Sequence, residues 1–100
     1  MSTNVDPKVS IDPKEKIVTL CQKAIRGNEL LIGTLQMQRG YQAQKRKVLL
    51  KMKMQGDPTF DMVFDLLMEE VKDHEAVIDF MIRTLQTNCH VFNRLKATDS

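Results

Sequence analysis

Residues 60–95, FDMVFDLLMEEVKDHEAVIDFMIRTLQTNCHVFNRL, carry an alternating four-then-three spacing without a slip. The positions are Phe60, Phe64, Leu67, Val71, His74, Ile78, Met81, Leu85, Asn88, Phe92 and Leu95. Such a spacing is the seam of a long helix that lies along other helices. The flanks of that seam are apolar too, with Val63, Val77 and Val91 on one side and Met68, Ile82 and Cys89 on the other. A two-stranded coiled coil places charges there, whereas a stripe this wide suits a helix touching two neighbours.

Working back toward the N-terminus, Gly56-Asp57-Pro58 is a stop followed at once by a start. Gly ends a helix, Asp caps the next, and Pro fits its first turn, where its missing N–H costs nothing. Asp12-Pro13-Lys14-Glu15 repeats the start and adds Glu in the position of a capping box. Between the two starts, Ile17, Leu20, Ala24, Asn28, Leu31, Leu35, Gln38, Gln42, Lys45, Leu49 and Met52 continue a three-four spacing. These observations predict an all-α hairpin of two long antiparallel helices, about 13–54 and 58–96, that associates into a multi-helix bundle. Gly27, Gly33 and Gly40 weigh against an unbroken first helix at about 1 kcal/mol each relative to Ala. The alternative is a three-helix bundle with a break at Gly27-Asn28. One helical domain then spans 12–96, between a disordered tail over 1–11 and a short tail over 97–100.

Charge supports the hairpin independently. From Arg39 to Lys53 there are six cations and no acid; from Asp57 to Asp79 there are eight acids and one cation, Lys72. A reversal at Gly56 lays these blocks side by side. Acids stacked four apart repel one another on an isolated helix, and cations opposite relieve them.

Composition narrows the class. Of 100 residues, 42% are hydrophobic and 28% charged, which is ordinary for a folded chain; five aromatics, no Trp and seven Met describe an aliphatic helical interior. The net charge of +2 implies no strong global field. No apolar run approaches the ~20 residues of a membrane span, and the first ten residues carry no signal-peptide pattern. The expected setting is intracellular, cytoplasmic or nuclear. Cys21 and Cys89 fall at similar heights in such a hairpin, so a redox bridge is open to them, although a buried Cys ordinarily acts as a small hydrophobe.

Catalytic and ligand signatures fail on spacing. His74-Glu75 begins the pattern of a zinc protease helix, but Ile78 stands where the second His belongs; the di-iron bundle motif needs Glu at position 71, which is Val. Cys89 and His90 are adjacent, about 100° apart on a helix, with no carboxylate placed to orient them. No glycine begins a phosphate loop. No enzyme, metal or cofactor is expected, and no motif carries a resemblance to a known family.

What remains is contact between helices. Leu31, Leu35, Val63, Val77, Ile78, Ile82 and Leu85 are the candidate partner-binding residues, and Gln38, His74 and Asn88 are polar positions within the seam that set register. The expected role is a small noncatalytic adaptor or scaffold subunit that joins copies of itself or other proteins through apolar faces. A second reading assigns Lys45, Arg46, Lys47, Lys51 and Lys53 to nucleic-acid phosphates, although these cations spread around the helix and only Tyr41 offers a nearby ring.

Overall fold

The computed structural model describes residues 12–99; the tail expected over 1–11 lies outside the described residues, as does Ser100. Helix α1 runs Pro13–Gln55, a single 3-10 turn spans Pro58–Phe60, and helix α2 runs Asp61–Asp99, with no strand among the described residues. The two long helices pack against each other as an antiparallel hairpin. Helix α1 is continuous through Gly27, so the break at Gly27-Asn28 does not occur. A helix of this length keeps its hydrogen-bond ladder intact across one glycine, because neighbouring turns hold the backbone on both sides. Helix α2 continues three residues past the Lys96 expected as its end, and Thr98 Oγ1 donates to the Arg94 carbonyl within this last stretch.

Local chemistry explains both starts. Asp12 Oδ1 accepts from the Lys14 N–H at 3.0 Å, satisfying a donor the first turn leaves without a partner. At the reversal, Asp57 Oδ1 accepts from both the N–H and the hydroxyl of Thr59, at 3.0 and 2.8 Å. Gly56 closes α1 in extended geometry, φ −93° and ψ −179°, so the left-handed freedom of glycine is not what the turn uses. Space is: a Cβ at Gly56 would meet the Met52 carbonyl oxygen at 2.9 Å.

The contact line between the helices keeps perfect four-three spacing. On α1 it is Val18, Cys21, Ile25, Asn28, Ile32, Leu35, Arg39, Gln42, Arg46, Leu49 and Lys53; on α2 it is Asp61, Phe64, Met68, Val71, Glu75, Ile78, Ile82, Leu85, Cys89, Phe92 and Lys96. Each of these is buried or half-buried, and Val71 is sealed completely. The expected seams share one row with these lines and miss the other by one residue. On α2, Phe60, His74, Met81, Asn88 and Leu95 face outward while Asp61, Glu75, Ile82, Cys89 and Lys96 take the contact. On α1, Leu31, Gln38 and Met52 are likewise exposed, and Ile32, Arg39 and Lys53 replace them.

The physical reason is charge. Apolar content favours the row through Phe60, Leu67 and Met81, but Arg39 and Arg46 reach Glu75 only if the row with Asp61 and Glu75 turns toward them. The hairpin is a thin two-helix rod, about 65 Å long over the 43 residues of α1.

Candidate protein-docking face

One row missed on each of two antiparallel helices has a simple geometric consequence. Seen from one end of the hairpin, the helices wind in opposite senses, so an equal displacement on both opens the missed rows onto the same side. There they line two contiguous grooves between the helices. The first is walled by Leu35, Met37, Gln38, Tyr41, Gln42, His74, Val77, Ile78 and Met81. The second is walled by Leu31, Thr34, Leu35, Gln38, Phe80, Met81, Thr84 and Leu85. Leu35, Gln38 and Met81 belong to both, so the open face is one surface.

That face has no formal charge over its middle. Leu31, Thr34, Gln38 and Tyr41 on α1 and His74, Val77, Met81 and Thr84 on α2 line the grooves, and the same period continues the row through Ala24 and Gly27 on α1 and Asn88 and Val91 on α2. Phe80 at its edge is 63% exposed and Val77 56% exposed. Among the described residues, nineteen large apolar side chains are exposed, so much apolar surface lies outside the contact between the helices.

The opposite side of the hairpin is ionic. Arg39 donates through one guanidinium nitrogen to Glu75 Oε2 and through Nε to Asp79 Oδ1 at 2.8 Å, while Arg46 approaches the same Glu75 oxygen at 3.6 Å. Lys53 Nζ meets Asp65 Oδ1 at 2.5 Å near the turn. Glu75 is the buried carboxylate of this group, 5% exposed. The hydrogen bond to Asp79 foremost, and the attraction of both carboxylates, hold the Arg39 guanidinium above its ordinary pKa. The Asp65 hydrogen bond does the same for the Lys53 ammonium.

The expected partner-binding residues divide between two surfaces. Leu31, Val63 and Val77 are exposed; Leu35 and Ile78 are buried, and Ile82 and Leu85 half-buried, between α1 and α2. Gln38 and His74 share a groove, but form no hydrogen bond with each other and sit exposed, as does Asn88. The polar contact that crosses the hairpin near this height is Arg39 with Glu75, a pair that an apolar-row reading passes over. The available signal was the meeting of the charge blocks at the height where a turn at Gly56 places them. Gln42 Oε1 is buried beside the groove without a hydrogen-bond partner among the described residues.

Of the basic stretch, Arg46 and Lys53 are drawn into these ion pairs along with Arg39, whereas Lys45, Lys47 and Lys51 form none among the described residues. Cys21 and Cys89 are free thiols; the Cys89 Sγ–H points at the Ile25 carbonyl, 3.8 Å away. No group of three or more His, Cys, Asp or Glu among the described residues is arranged to hold a metal ion. No described helix is long and apolar enough to cross a membrane. No family model, curated protein or solved structure matches the chain.

Proposed function

We propose that the chain is a noncatalytic adaptor or scaffold subunit of an intracellular complex, working through the side-by-side docking of helices on its open face. The observation that carries this reading is the uncharged apolar surface between Leu31 and Met81, left bare by a hairpin whose ionic residues are gathered on the other side. Burial of apolar area supplies the attraction, at about 25 cal/mol per Å² removed from water. Gln38, His74 and Asn88 then limit which alignments are tolerated, since a polar group pressed against apolar carbon without a partner is penalised. A nucleic-acid role for the basic stretch is less well supported, because part of that stretch is spent on Glu75 and Asp65.

The test is a Leu31→Glu, Met81→Glu variant, which adds charge to the open face and leaves Leu35, Val71 and Ile78 untouched. Affinity capture from the native cell should lose specific proteins with this variant while circular dichroism reports retained helix. A folded variant that keeps every contact of the parent chain disproves the reading.

A further inference from the structure

We infer that the occupant of the open face is a second copy of this chain, docked antiparallel about a two-fold axis that lies in the interface and crosses both helices at the level of Thr34 and Thr84. The inference rests on the docking role proposed above and names the partner.

Three observations converge on a copy. First, area: the chain exposes 7747 Å², whereas a compact protein of its mass exposes roughly 5,800 Å². The surplus exceeds the ~800 Å² per partner of a standard stable interface. Second, each hairpin offers this apolar groove on one side and ion pairs on the other, so two copies face to face close a four-helix bundle. Third, the middle of the face is uncharged, so it meets its own copy without repulsion.

Direction follows from level. The pairs Arg39–Asp79 and Lys53–Asp65 fix which residues of the helices lie side by side. On that register Thr34, the midpoint of α1, is level with Thr84. Gln38 lies four residues from this midpoint toward the turn, and Asn88 four residues away from it, about 6 Å in each case. A two-fold axis at the midpoint therefore brings Asn88 of one copy level with Gln38 of the other, so the amides that the hairpin leaves exposed fall in the same layers of the interface. Charge agrees in sign. Residues 39–79 hold seven cations and eight acids, while residues 12–38 and 80–99 hold seven cations and four acids. Antiparallel docking sets the slightly negative half on the positive half, whereas parallel docking sets positive on positive.

The experiment uses the purified full chain. Sedimentation velocity at about 100 μM should give twice the 11.5 kDa chain mass, with dissociation on dilution. In a Cys21→Ala, Cys89→Ala background, Thr84→Cys should form a disulfide with its own copy under mild oxidation, and Phe60→Cys, far from the axis, should not. A helical, cooperatively melting chain of single mass at that concentration overturns the inference, and so does a dimer in which Phe60→Cys cross-links to itself and Thr84→Cys does not. Either result leaves the docking role standing if the capture experiment still shows proteins lost with Leu31→Glu, Met81→Glu; loss of both results removes it as well.

Discussion

Glu75 is a carboxylate inside an apolar seam, and its neighbours explain why it is tolerated. Arg39 and Arg46 both approach one oxygen, and their own partial exposure lets water share the cost of gathering the charges. Replacing Glu75 with Ala should lower the unfolding free energy by about 1.5–3 kcal/mol, the range for hydrogen bonds to charged groups. Replacing it with Leu should cost less, since the side chain fills the seam and the arginines turn to solvent; urea melts of the two variants compare them directly. Asp57 makes a prediction in pH. The Thr59 N–H first, and its hydroxyl second, lower the Asp57 pKa, so the folded state favours the carboxylate. A lowered folded pKa means stabilisation that is complete above the ordinary carboxylate pKa of about 4 and disappears as pH falls through the folded value. The difference in Tm between the parent chain and Asp57→Ala should accordingly be constant near neutrality and narrow progressively below about pH 4.

At the level of the element, α1 is a long helix weakened by three glycines that nothing in the hairpin requires. A Cβ at Gly27, Gly33 or Gly40 meets no atom within 4 Å. Each change to Ala should therefore stabilise the helix by about 1 kcal/mol, and thermal melts of the single and triple variants should show gains that nearly add. Gly27 lies on the open face with Leu31, four residues away, so its variant also reports on docking: a gain in stability with a loss of association would show that a neighbouring backbone comes close there. Gly56 behaves oppositely. With the Met52 carbonyl 2.9 Å from any added Cβ, Gly56→Ala must displace backbone at the reversal and should lower Tm.

On the scale of the whole molecule, a rod with one apolar face and one ionic face separates its two kinds of force. Ion pairs between the helices select how α1 and α2 line up, and the exposed pair Lys53–Asp65 adds little net stability. Raising salt from about 0.1 to 1 M, which shortens the Debye length from about 10 to 3 Å, should shift the hairpin's Tm only slightly and leave apolar docking intact. Leu31→Glu with Met81→Glu should do the reverse, releasing the docked partner while the ion pairs persist. The two treatments together distinguish a face held by hydrophobic contact from one held by charge.

The amino-acid sequence by itself determined the helix class, both starts, the reversal at Gly56 and the surplus of apolar surface on α2, because these follow from local capping chemistry and from a period that every turn repeats. Only the tertiary structure decided that α1 runs unbroken and which of two adjacent rows each helix turns inward. Leu31 and Met81 look as fit for the seam as Ile32 and Ile82 do, since neighbouring residues on a helix differ by a rotation that hydropathy barely resolves. Contact between Arg39 and Glu75 settles that rotation, and it exists only when two segments far apart in the chain lie side by side.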